Sequence, residues 1–249
     1  MNRSKKTVSI ISLILFILGT LLGTIFIALA SWGGMEGMFF DHVPNTDRIL
    51  TSLNCPMLIS TRETAQISAT ITNSSKYMVN PEVIARISAG HFTVYNEFSE
   101  RHMIEPKSSV KLNWQATVED ATYGQKVILV HVKVLSSYPL PAMNGNCGII
   151  VLNIGALSGK VVTTSLGIIA MILVCVGWWF WYRSHPVEKT ERSQRSTNGL
   201  RVLGLIVIGG ILASFFRLWF LGILALGAIV LLAVILFSVY AAVPKEEFE

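Results

Sequence analysis

Charge is what this 249-residue chain has least of: only 14% of its residues are Asp, Glu, Lys or Arg, against 52% that are apolar. Soluble globular proteins carry about 25% charged residues, so the balance excludes that class and points to an integral membrane protein. Cysteine is scarce as well, with three in the chain and no Cys-x-x-Cys. Thiol-based redox and zinc sites therefore have no sequence basis. The chain also lacks Gly-x-Ser-x-Gly, His-Glu-x-x-His and any phosphate-cradling glycine loop. His91, His102 and His131 share no metal-ligand spacing. No catalytic residue, cofactor or metal is expected, and the chain reads as non-enzymatic.

Two motif matches have plainer explanations. Ser108-Ser109-Val110-Lys111 fits Ser-x-x-Lys, but it falls where a strand begins. Residues three apart on a strand point to opposite faces, so Ser108 and Lys111 cannot act as nucleophile and base there. Asn73-Ser74-Ser75 fits a glycosylation acceptor, which matters only in a host that glycosylates.

What the chain does have is long uncharged runs. Val8–Ala30 and Val161–Tyr182 contain no charge, and at about 1.5 Å per residue each covers the roughly 30 Å hydrocarbon core. The third run, Val202–Val243, carries only Arg217, beside Phe215, Phe216, Trp219 and Phe220. One helix of that length would be about twice the bilayer core, so a tight hairpin is expected, with Arg217 at the outer surface and Gly222 in the turn or at the start of the fourth helix. The expected fold is thus α plus β: four transmembrane helices with an antiparallel β-sandwich ectodomain between helices 1 and 2. The boundaries read as a basic N-terminus (1–7), helix 1 (8–30), a juxtamembrane segment (31–50), the sandwich (51–154), a linker (155–160), helix 2 (161–182), a basic loop (183–201), helix 3 (202–217), helix 4 (218–243) and a tail (244–249).

Helix 1 has a rival reading as a cleaved signal peptide, because it ends in Ala28-Leu29-Ala30. Its apolar run exceeds the roughly 7–15 residues of a signal core, so an anchor is expected. Arg3, Lys5, Lys6 and the bases Arg183, Lys189, Arg192, Arg195 and Arg201 flank the spans on one side, which places both termini in the cytoplasm and residues 31–160 outside. That exported insert has ten bases and ten acids, so the net charge of +5 belongs to the remainder. A multi-pass protein of a bacterial cytoplasmic membrane fits this pattern. Anionic lipid accounts for the basic surface, and no nucleic-acid partner is expected.

Inside the insert the pattern changes to alternation. Ala65, Ile67, Ala69 and Ile71 alternate with Thr and Ser. Val83, Ala85 and Ile87 alternate with Glu82, Ile84, Arg86 and Ser88, and Val110 to Val118 alternates around Trp114. Val127–Val134 and Gly148–Ile154 are rich in β-branched residues, and Phe92–Phe98 is a weaker strand. The strand Ile67–Asn73, ending in Thr-x-Asn, and the corner Pro106-Lys107-Ser108-Ser109 leading to Trp114 resemble the bacterial immunoglobulin-like domains of cell-surface proteins. That resemblance covers 51–154 and implies adhesion or scaffolding. Lys107 stands where the family usually has glycine. Cys55 and Cys147 are the exported cysteines and are expected to pair, while Cys175 reads as a small packing residue in helix 2.

Contacts with partners are expected from two features. Trp32, Met35, Met38, Phe39 and Phe40 form an apolar patch just outside the membrane, suited to lipid or to another membrane protein. Gly19 with Gly23, and Gly210 with Ser214, form small-x-x-x-small pairs that let helices approach closely, within the chain, in self-association or with a partner. The leading expectation is a scaffold or accessory subunit of a membrane complex. The alternatives are a transmission subunit resembling FtsX-type permeases that work with a cytoplasmic ATPase, and a surface sensor or adhesion protein.

Overall fold

The computed structural model describes residues 3–40, 48–91, 93–184 and 191–241. Phe92, residues 41–47 of the juxtamembrane segment, Lys189 in the basic loop and the tail 244–249 lie outside the described residues. The chain forms two units, Met1–Ser31 with Thr164–Glu249, and Trp32–Thr163.

Trp32–Thr163 is the β unit. It contains β1 (Arg48–Ile49), β2 (Leu58–Ser60), β3 (Ala65–Thr72), β4 (Glu82–Ser88), β5 (Tyr95–Arg101), β6 (Ser109–Ala116), β7 (Val127–Val134) and β8 (Met143–Leu152). Two sheets result. One runs β1-β8-β7-β4-β5 with β2 also paired to β8, and the other is the antiparallel pair β3-β6. The expected all-antiparallel arrangement is corrected here, because β1 and β2 both lie parallel to β8 and the larger sheet is mixed. Each of these strands is only two or three residues long, too short to leave an alternation signal in sequence.

The alternation does predict which faces meet. Ile67, Ala69 and Ile71 of β3, Leu112 and Trp114 of β6, Val83, Ala85 and Ile87 of β4, and Val130, Val132 and Val134 of β7 share one buried core. Burying each Ile or Val side chain contributes about 1.5–3 kcal/mol before entropy is counted. Register follows the same logic, with Ile67 opposite Trp114 and Ala69 opposite Leu112. A one-residue slip would turn these side chains to solvent.

The corners explain the polar signals. Asn73 is 1% exposed, and its Nδ2 donates to the carbonyls of Tyr77, Ile104 and Glu105 at 2.7, 3.1 and 3.1 Å. The amide of the Asn73-Ser74-Ser75 acceptor sequence is thus committed to holding a corner. At the next corner Lys107 has φ of 59°, the left-handed conformation that glycine adopts without steric cost. Lys107→Gly is therefore expected to raise stability by about 0.5–1 kcal/mol, a melting shift of a few degrees. Differential scanning calorimetry of both proteins checks this, and an unchanged or lowered transition would refute it.

The other unit is helical. Helix α1 runs Arg3–Phe39, α3 Gly159–Ser184, α4 Glu191–Phe215 and α5 Trp219–Ala241; the label α2 belongs to a single turn, Thr122–Gln125, in the β unit. Among the described residues three helices, Thr7–Phe39, Gly159–Ser184 and Asn198–Phe215, are long and apolar enough to cross a membrane, and a shorter apolar stretch spans Trp219–Ile235. Helix α4 starts at Glu191, within the expected loop, and places Arg192, Arg195 and Arg201 on helix. The hairpin turn between α4 and α5 is Phe216–Leu218, and its left-handed residue is Arg217, φ 61°. Gly222 lies inside α5, where a Cβ would strike Ser31 Oγ.

Candidate functional site

Residues 31–39 continue α1 without a break, although the sequence reading ends helix 1 at Ala30 and leaves 31–50 as a juxtamembrane segment. Glycine costs a helix about 1 kcal/mol relative to alanine, so packing must repay it. Within the β unit the last turns of α1 lie on β8. A Cβ on Gly37 would overlap the Cys147 carbonyl carbon and sit 2.6 Å from the Gly148 nitrogen. A Cβ on Gly148 would run into the Gly33 carbonyl. Helix and strand backbones therefore meet directly, through three residues without side chains.

Cys147 at this contact is bonded to Cys55, with Cα atoms 6.6 Å apart. The bridge ties β8 to the segment before β2 at the point where α1 lands. Glu36 adds polar fasteners: its carboxylate accepts from Trp32 Nε1 at 3.0 Å and from Tyr123 Oη at 2.9 Å. Tyr123 is delivered by the α2 turn, where Tyr123, Gly124 and Gln125 all have positive φ. Burial, reinforced by the adjacent Glu36 carboxylate, pushes the Tyr123 hydroxyl above its usual pKa. His131 is buried in β7, its Nδ1 2.6 Å from Asn146 Oδ1, and Asn146 Nδ2 reaches the Met38 carbonyl at 3.4 Å.

The start of α3 is anchored comparably. Glu63 Oε2 accepts from the backbone N–H of Ser60 at 2.6 Å and of Gly159 at 2.8 Å, so a carboxylate caps the helix N-terminus. These two donors, Ser60 first, hold the Glu63 carboxyl below the usual carboxylate range. A lowered folded pKa contributes stability that is fully present above about pH 4.5 and is lost as pH falls through the folded value. Wild type should accordingly lose thermal stability more steeply than Glu63→Gln on acidification below that point. Parallel pH profiles in a melting series would remove Glu63 from this role.

The apolar patch divides. Phe40 is 2% exposed, packed with Val127 and Leu129, and its ring meets Tyr95 edge-on at 6.4 Å. Met35 is half-buried, whereas Trp32, Met38 and Phe39 remain exposed at 43, 39 and 63%. In the helical unit the small residues separate. A Cβ on Gly19 would lie 2.7 Å from the Val174 nitrogen of α3, one on Gly23 2.7 Å from Val207 of α4, and one on Gly210 2.6 Å from Ile27 of α1. Ser214 donates its hydroxyl to the Gly210 carbonyl at 2.8 Å. Gly33 and Gly37 repeat the Gly-x-x-x-Gly spacing of Gly19 and Gly23, and that spacing is the sequence signal for the β8 contact.

An α plus β chain with helices apolar enough for a bilayer and a disulfide-bonded β unit is the class these features define. No protein-family model matches the chain, and no curated protein matches it. Among solved structures, a superoxide reductase (neelaredoxin) from Ignicoccus hospitalis is similar over 40% of this chain and 78% of its own, at 9% identity and a TM-score of 0.27. A likeness at that score carries no weight for fold or chemistry.

Proposed function

We propose that this chain is a non-enzymatic, four-span membrane protein that presents a disulfide-clasped immunoglobulin-like sandwich outside the cell and acts as a scaffold or accessory subunit of a membrane complex. The observation that carries the reading is the seating of Gly33 and Gly37 on Gly148 and Cys147. An apolar helix that continues unbroken into a folded domain and is locked to its disulfide suits a part that holds position. Support for four spans comes from α5, a helix of 23 residues joined to α4 by a three-residue turn. Support for the immunoglobulin-like topology comes from strand order. The run β8-β7-β4-β5 facing β3-β6 corresponds to strands G, F, C and C′ facing B and E. Trp32, Met38 and Phe39 would then meet lipid or a neighbouring membrane protein.

Cross-linking in native membranes followed by mild-detergent purification tests this. Reproducible cross-links to one set of membrane proteins or to further copies are expected, and an uncross-linked monomer would overturn the scaffold reading. A second reading, the ATPase-coupled transmission subunit, gains from α4, because a helix from Glu191 supplies a stiff element where a flexible loop was expected. Copurification of an ATPase whose turnover changes with this chain would favour that reading.

A further inference from the structure

Strand β5 has the unusual position in the sheet. All seven of its residues, Tyr95–Arg101, are exposed. It ends the strand order, so its outer edge has no partner strand among the described residues. The reason is architectural: the facing sheet has only two strands, which leaves the inward side of β5 uncovered. Phe98, opposite Ala85 on the core side of the sheet, is still 42% exposed. An open edge of this length is a template for another strand.

We propose that this edge pairs antiparallel with β5 of a second copy of the chain, in the register centred on Phe98. That register places Phe98 opposite Phe98, Tyr95 opposite Arg101, Asn96 opposite Glu100 and Glu97 opposite Ser99. Every polar pair is complementary and the centre is an aromatic pair, the combinations that stabilise cross-strand neighbours. The parallel in-register alternative sets Glu97 on Glu97 and Glu100 on Glu100, and sliding the antiparallel register by one residue in the direction that brings Asn96 to Arg101 puts Glu97 on Glu100. Charged residues on an edge strand usually repel unrelated strands. Here Glu97 and Glu100 would do so while facing no like charge directly opposite in the chain's own copy. Arg86, 2.7 Å from Glu97, and Arg101, 3.1 Å from Glu82, hold β5 on β4, so the edge is presented in a fixed register.

Cysteine scanning of the full-length protein on a Cys175→Ala background tests the pairing, since paired strands bring Cα atoms within disulfide reach. In detergent, Phe98→Cys should form an intermolecular disulfide at least about tenfold faster than Lys111→Cys on β6. Tyr95→Cys should cross-link to Arg101→Cys when the two proteins are mixed, and each alone should not. Ser99→Glu, which faces Glu97, should reduce Phe98→Cys cross-linking about tenfold, and Ser99→Lys should raise it. Equal rates at Phe98→Cys and Lys111→Cys, equal rates along the whole strand, or indifference to Ser99→Glu would each overturn the proposal.

Discussion

Reduction of the Cys55–Cys147 bridge is expected to lower the stability of the β unit by about 4–5 kcal/mol, taking chain entropy alone as an upper figure. The loop it closes spans 92 positions, so the freedom it removes from the unfolded chain is large. Against a typical domain stability of about 5–15 kcal/mol, such a loss leaves the fold marginal. Cys55 is 4% exposed within the shared core, so substitution would add a packing cost to the lost constraint. Comparing oxidised with reduced wild type avoids that confusion. The measurement is denaturant unfolding of the full-length protein in detergent, read by hydrogen exchange of the buried strands β3, β6 and β7, with Cys175→Ala as the control for the remaining thiol. Coincident midpoints before and after reduction would show that the bridge is mechanically idle.

The parts of the fold that were legible in sequence are those set by local periodicity. Val127–Val134 is a strand from its first residue to its last, and β3 and β6 sit within one or two residues of their alternating runs. Pairing of Cys55 with Cys147 was legible from their being the two cysteines of the insert read as one compartment. The start of β8 was not, because Asn144, Gly145 and Asn146 carry turn chemistry. Strand conformation is imposed there by the full antiparallel ladder with β7, from Met143 opposite Val134 to Ile150 opposite Val127. Gly145 is required by proximity, since a Cβ would stand 3.1 Å from the Leu50 carbonyl oxygen. The extension of α1 failed for the same reason in reverse. Gly33 and Gly37 argue locally against a helix, and only the partner strand reveals why they are there. Both errors come from glycines placed for close backbone approach, a property of segments far apart in sequence.

Gly37→Val is expected to be among the most disruptive substitutions outside the core. The first atom of the new side chain would fall on the Cys147 carbonyl carbon, and neither backbone there can yield as a flexible side chain would. Cys147 is fixed by its disulfide and by pairing with Val130 of β7, so the helix must give way. Moving α1 off β8 would also break the Glu36 bond to Tyr123, an exposed contact worth about 0.5 kcal/mol, whereas the Trp32–Glu36 bond lies within α1 and would survive. The direct cost of overpacking is about 1–3 kcal/mol, with loss of the helix-to-strand contact added. Gly209→Val separates this from the helix-propensity effect. It substitutes the same side chain for a helical glycine of α4, where a Cβ meets nothing within 4 Å. Hydrogen exchange of the full-length protein should show residues 32–39 and 146–150 losing protection together in Gly37→Val and retaining it in Gly209→Val. If both variants exchange alike, the glycine contact is incidental and the scaffold proposal loses the observation that carries it.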